Sequence, residues 1–142
     1  MEELIGVDTN ILVYALDPTL AEHNEAKRGI LTSGGCAVNS TVIHETYHTL
    51  VFRRKMSTSD SRRKLAELLR DRRTFFINQT KSVSLLALDL ANRMNLGGRD
   101  SLIVSCYLHN RIPEMYSHDE ELLKLRKVSA KGKTLRITDP IT

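Results

Sequence analysis

The sequence predicts an α/β domain in which a parallel sheet is covered by helices on both faces. Short apolar runs alternate along the whole chain with longer segments of helical period. Such alternation calls for helical crossovers between parallel strands, which are then buried on both sides. No low-complexity stretch, repeat or Pro/Gly-rich linker interrupts the pattern, so residues 1–142 read as a single domain.

Taken in order, Leu4-Ile5-Gly6-Val7 is a buried strand emptying into the polar Asp8-Thr9-Asn10. Asn10 to Leu16 and Ala21 to Leu31 are helical, and Gly34-Gly35 stops the second of them. Cys36 to Asn39 is a second strand. Ser40 or Thr41 then caps a helix running to about Lys55, with Ile43, Tyr47, Leu50 and Arg54 along one stripe. Ser57 to Ser59 caps the next helix, which carries Leu65, Leu68 and Leu69. Phe75 to Ile77 is a third strand, and Lys81 to Met94 a helix with Val83, Leu86, Leu90 and Met94 at helical spacing. Asp100 opens a helix through Leu108, set off by Gly97-Gly98. Met115 to Ser117 is a short strand, Glu120 to Lys127 a short helix, and Leu135 to Ile137 the last strand.

The bulk properties exclude several classes. Of 142 residues, 41% are apolar and 27% charged, which is ordinary for a globular domain. No apolar run approaches the ~18 residues of a membrane span, so no membrane role is expected. Met1-Glu2-Glu3 lacks the basic start of a signal peptide, and the cytoplasm is the expected compartment. Cys36 and Cys106 lie far apart without CxxC spacing and read as core residues. The net charge is +4, but it is uneven: nine Arg and Lys residues stand against three acids between Arg53 and Arg73. Such a cluster attracts phosphates, although it is equally the composition of a solvated helix face. No G-x-G-x-x-G or P-loop pattern follows a strand, and Gly97-Gly98-Arg99 is too short to count as one.

In a parallel sheet the ligand site lies beyond the carboxyl ends of the strands. Acids stand at those places. Asp8 follows the first strand, Glu45 sits one turn into the helix after the second, and Asp119 follows the fourth, while Asp100 starts the helix leading into the fourth. Each alone is an ordinary helix-start residue. Together they form a set of hard oxygen donors suited to Mg²⁺ or Mn²⁺. Thr9 and Ser117 lie close enough in sequence to support ligand waters.

Asp8-Thr9-Asn10 after an apolar strand, the helical Glu45, Arg99-Asp100-Ser101-Leu102-Ile103 and Ser117-His118-Asp119-Glu120-Glu121-Leu122 resemble the successive motifs of PIN domains. The resemblance covers essentially the whole chain and is closest to the VapC-type toxins of type II toxin–antitoxin pairs. It implies a Rossmann-like three-layer fold with four or five parallel strands. It also implies Mg²⁺- or Mn²⁺-dependent endonucleolytic cleavage of RNA, transfer RNA being the family-level guess. Carried over by position, Asp8, Glu45, Asp100 and Asp119 ligate or position metal, with Thr9, Asn10 and Ser117 supporting. Ser117, Glu121 and Leu122 depart from the Thr, Asp and aromatic residues frequent in the fourth motif. Arg53, Arg54, Arg62, Arg63 and Arg99 are the candidate RNA-binding residues. The resemblance further implies a cognate antitoxin and a homodimer, with helices in the region 41–72 as candidates for the interface.

Two alternatives stand beside this reading. His44-Glu45-Thr46-Tyr47-His48 is a literal H-E-x-x-H, the zinc metalloprotease signature, with Glu67 at a plausible distance for a third ligand. That reading leaves Asp8, Asp100 and Asp119 without a role. The other alternative is a non-catalytic RNA-binding PIN protein, since an intact acid set does not prove turnover.

Overall fold

A computed structural model describes residues 3–142; Met1 and Glu2, which entered the reading of the N-terminus, lie outside the described residues. The strands are β1 (Leu4–Val7), β2 (Gly35–Val38), β3 (Thr74–Phe76), β4 (Glu114–Tyr116), β5 (Lys127–Ala130) and β6 (Lys133–Thr138). They form one sheet of order β3-β2-β1-β4-β6-β5. All neighbours pair in parallel except β5, which runs antiparallel to β6. Among the described residues the α-helices are α1 (Thr9–Leu16), α2 (His23–Leu31), α3 (Ser40–His48), α4 (Thr58–Arg70), α5 (Lys81–Met94), α6 (Gly98–His109) and α7 (Glu120–Leu123).

The α/β class and the parallel sheet agree with the alternation in the sequence, and the sixth strand is an addition to it. Lys127 was expected to close a helix; instead it opens β5. Lys131 and Gly132 both have positive φ, 52° and 77°, the backbone of a two-residue hairpin turn. Val128 lies across from Leu135 and both are buried, which sets the register of the pair.

The chain from β1 to β2 moves to one side of the sheet, and β4 lies on the other side of β1. The crevice between β1 and β4 is thus a topological switch point, the place where such folds bind ligands. Register places Val7 beside Tyr116, and the Asp8 N–H continues the ladder by donating to the Tyr116 carbonyl at 3.0 Å. The residues that follow, Asp8 and Ser117, therefore leave the sheet side by side.

Behind them the core is tight. Tyr107 of α6 is fully buried and donates its hydroxyl to the Val7 carbonyl at 2.7 Å. Its ring lies so near the backbone of β1 that a Cβ at Gly6 would stand 2.7 Å from Tyr107 Cδ2. Only glycine fits there.

Local boundaries shift for identifiable reasons. Asn39, rather than Ser40 or Thr41, caps α3 by accepting from the Val42 N–H; the Ser40 and Thr41 hydroxyls are turned to Gln79. The expected continuous helix to Lys55 gives way after His48 to a π-helical turn over Thr49–Arg53, and Lys55 ends it with φ of 61°. Such wide turns concentrate at functional sites because they re-aim the side chains that follow. Here Arg53 ends the turn and Arg54 follows it, and both line the cleft that Asp8 opens onto. Cys36 and Cys106 are free and buried, and burial pushes their thiols up to about 12 and about 11 respectively, as expected of inert core residues.

Candidate active site

Asp8 has non-helical backbone as the N-cap of α1, and its Oδ1 accepts from the Thr9 N–H at 2.8 Å. It is only 2% exposed. Its second oxygen, Oδ2, accepts from the buried Ser117 hydroxyl at 2.9 Å, and the same hydroxyl oxygen accepts from the Asp119 N–H at 3.1 Å. One serine thus ties the end of β1 to the start of α7. Asp119 caps α7, accepting from the Glu121 N–H at 2.8 Å and the Leu122 N–H at 3.3 Å.

Glu45 reaches the same place from α3. Its Oε1 accepts from the Thr9 hydroxyl at 2.8 Å. Asp100 lies in the first turn of α6, two residues inside a helix that begins at Gly98. The centre of the group is Arg99. Its Nε donates to Glu45 Oε2, its Nη1 donates to Asp100 Oδ1, and its Nη2 lies 3.7 Å from Asp8 Oδ1. Asn10 stands at the edge, where its side-chain oxygen accepts from the His118 N–H at 3.4 Å and steadies the loop after β4.

The electrostatics follow from this crowding. Burial pushes the Asp8 carboxyl above its ordinary range; the Thr9 N–H, Ser117 hydroxyl and Arg99 charge counter it only in part. Burial likewise raises Asp100, with Arg99 opposing and Asp119 and Glu45 adding repulsion. Burial works against the charge on Arg99, but Glu45, Asp8 and Asp100 outweigh it and hold the guanidinium more firmly protonated. Three carboxylates face one resident cation, and Asp119 adds its charge from beside Asp100.

Among the described residues, no three His, Cys, Asp or Glu side chains are gathered closely enough to hold a metal ion, and the Arg99 guanidinium stands among three of the acids. The donor set nevertheless fits a hard divalent cation. Every donor is a carboxylate oxygen, the charge is under-neutralised, and Asp8 is already desolvated.

A cleft of about 350 Å³ opens onto this group, lined by Asp8, Asn10, Arg53, Arg54, Arg99 and Asp119 among others. The five arginines singled out from the sequence therefore divide. Arg53, Arg54 and Arg99 line the cleft. Arg62 lines a separate groove between α3 and α4, and Arg63 lies along α4 within reach of Asp60 and Glu67. Arg54 also has a structural partner that sequence reasoning missed, donating to the buried Asp17 at 3.2 Å. A second missed pair is His118 with Asp139, 2.6 Å apart at the end of β6. Neither pair has a local signal, since 37 and 21 residues separate the partners.

The H-E-x-x-H motif is not assembled for zinc. His44 lines the α3–α4 groove, and His48 packs its ring on Phe52 at a centroid distance of 4.9 Å. Glu67, the would-be third ligand, lies 3.5 Å from Arg63, and Glu45 is committed to Thr9 and Arg99.

Comparison with known proteins agrees with the fold. The family model described as the PIN domain matches residues 5–128. No protein with a curated description matches the sequence. Among solved structures, the chain is similar to VapC20 of Mycobacterium tuberculosis, described as a sarcin–ricin loop cleaving toxin. The TM-score is 0.74 at 18% identity, covering 89% of this chain and 98% of that one. It is also similar to a chain of a toxin–antitoxin complex from Klebsiella pneumoniae, with a TM-score of 0.69, 16% identity and coverage of 96% and 97%. A third is a chain of VapBC2 from Rickettsia felis bound to a promoter DNA fragment, with a TM-score of 0.67, 16% identity and coverage of 96% and 99%.

Proposed function

Because the chain belongs to the PIN domain family, we propose that it is a metal-dependent endoribonuclease and the toxin of a type II toxin–antitoxin pair. The observation that carries this reading is the convergence of Asp8, Glu45 and Asp100 around one cation at the β1–β4 switch point, with Asp119 lining the same cleft. Asp8, Asp100 and Asp119 are the residues best placed to hold Mg²⁺ or Mn²⁺, with Glu45 completing the set. A divalent ion held there would supply a Lewis acid for the phosphodiester and would make an attacking water more acidic.

The chain's own residues prepare that chemistry. Ser117 and the Thr9 N–H orient Asp8, so that its carboxylate is held without rotational freedom. The Thr9 hydroxyl does the same for Glu45. Arg53 and Arg54 place positive charge on the cleft wall, where a polyanion's phosphates are drawn in.

Partners belong to the same proposal. The structural neighbour from Klebsiella pneumoniae is a toxin–antitoxin complex and that from Rickettsia felis is VapBC2 bound to a promoter fragment, which favours a cognate antitoxin over a housekeeping role. Exposed Phe52 and Leu69 lie in the 41–72 region and favour that face for a homodimer. No helix is long and apolar enough to cross a membrane among the described residues.

The test is cleavage of labelled RNA, transfer RNA included, with and without Mg²⁺ or Mn²⁺. Metal-dependent internal cuts that vanish in D8N and D100N support the reading. Full-rate cleavage by D8N, or RNA binding with no cleavage at any metal concentration, rejects it; the second result would favour a binding module.

A further inference from the structure

We propose that Arg99 is the built-in counterion of these carboxylates, and that metal binds by displacing its guanidinium from them. This rests on the metal-dependent reading above and adds a competition to it.

The geometry carries the argument. Three different nitrogens of Arg99 meet three carboxylates from three separate elements: Glu45 on α3, Asp100 on α6 and Asp8 at the cap of α1. The opposite oxygen of Glu45, Oε1, is already engaged by Thr9, and both Asp8 oxygens accept from the chain, Oδ2 from Ser117 and Oδ1 from the Thr9 N–H. Glu45 Oε2 and Asp100 Oδ1, the oxygens that Arg99 takes by hydrogen bonds, are the ones a metal would need. Both cannot hold them at once. A single positive charge spread over a planar group leaves the four acids under-neutralised, whereas a compact divalent ion matches hard oxygen donors better.

Arg99 is also free to leave. It is the second residue of α6, its side chain is 43% exposed, and Gly97-Gly98 before it have open space where a Cβ would stand. Once displaced, the guanidinium remains at the mouth of the cleft it shares with Arg53, where RNA phosphates would meet it. The acids are thus kept paired when no metal is bound, and the apparent metal affinity would be lowered by the energy of breaking the Arg99 contacts.

The test is Mn²⁺ titration, read by electron paramagnetic resonance, of the wild type, R99Q and R99K, with melting curves in EDTA. The expected result is Mn²⁺ binding about tenfold tighter in R99Q, since a charge-assisted network no longer competes. R99K also binds tighter than wild type, because a lysine ammonium is a compact point donor that lacks the planar fork by which Arg99 presents separate nitrogens to the three carboxylates. In EDTA, R99Q melts below wild type, and Mn²⁺ raises its melting temperature more. Equal or weaker Mn²⁺ binding by R99Q overturns the competition and leaves the metal site standing. Tighter binding by R99Q with R99K unchanged from wild type also overturns it, since charge alone then explains the effect. No Mn²⁺ binding by any of the three overturns the metal reading and this inference with it.

Discussion

The hydroxyl of Ser117 donates to the carboxylate of Asp8 at 2.9 Å, across 109 positions of sequence, and both residues are buried. Removing that donor leaves Asp8 with one polar support fewer in a desolvated place. S117A is therefore expected to cost about 1.5–3 kcal/mol of stability, the range for hydrogen bonds to charged groups. It should also push the Asp8 carboxyl further up, moving the acid limb of the cleavage profile to higher pH. Chemical denaturation and a pH–rate profile check the two effects separately, and an unmoved acid limb would count against the role given to Ser117.

Asp8 and Asp100 hold protons more tightly folded than unfolded, because burial raises each above the ordinary 3.8. Their contribution to stability is fully present below that value and is lost as pH rises through the folded one. In EDTA, D8N should therefore melt above wild type at about pH 7, and the gap should close as pH falls toward about 4. A gap of constant size across that range would show that Asp8 is not the titrating group.

Arg53 and Arg54 are neighbours with different work. Arg54 pairs with Asp17, whose side chain is 5% exposed; burial alone would raise that carboxyl, but Thr19 and Arg54 hold it below the ordinary range. The stability this supplies is present above pH 3.8 and lost as pH falls through the folded value. With Arg54 itself 38% exposed, screening limits the loss in R54A to about 1 kcal/mol. R53A should leave stability unchanged and weaken RNA binding instead, lowering the slope of log K against log salt by about 1. Filter binding at several salt concentrations reads this directly.

Gly6 touches Tyr107 where no side chain fits. G6A must move either the tyrosine ring or β1, an overpacking cost of about 1–3 kcal/mol. Since β1 ends at Asp8, cleavage should fall along with the melting temperature. A G6A protein as stable as wild type would mean that the contact relaxes easily.

The histidines of H-E-x-x-H provide a control. H44A with H48A removes groove and Phe52 contacts but none of the hydrogen bonds that orient Asp8 and Glu45. Cleavage should survive within a few-fold, and metal analysis should find no stoichiometric zinc. Loss of all activity together with bound zinc would revive the protease reading.

Much of this molecule was legible because its signals are local. An apolar run that ends in Asp8-Thr9-Asn10 states a strand and a helix start within seven residues, Leu4 to Asn10. Helical period in α5 and the cap of α4 are likewise read within one element. β5 was missed because only Val128 and Ala130 mark its inner face, and its turn depends on a positive φ at Lys131 that composition does not announce.

By itself the sequence determined which acids stand at the ends of strands, and hence that a site should exist on one edge of the sheet. Only the tertiary structure decided how those acids are held. Strand order puts β4 beside β1, and the Val7–Tyr116 register then brings Ser117 to Asp8. The approach of α3 and α6 brings Glu45 and Asp100 to one guanidinium, so that Arg99, read from the sequence as a phosphate contact, stands in the middle of the acids. Periodicity is a property of neighbours along the chain. Charge compensation is a property of neighbours in space, and only packing makes those.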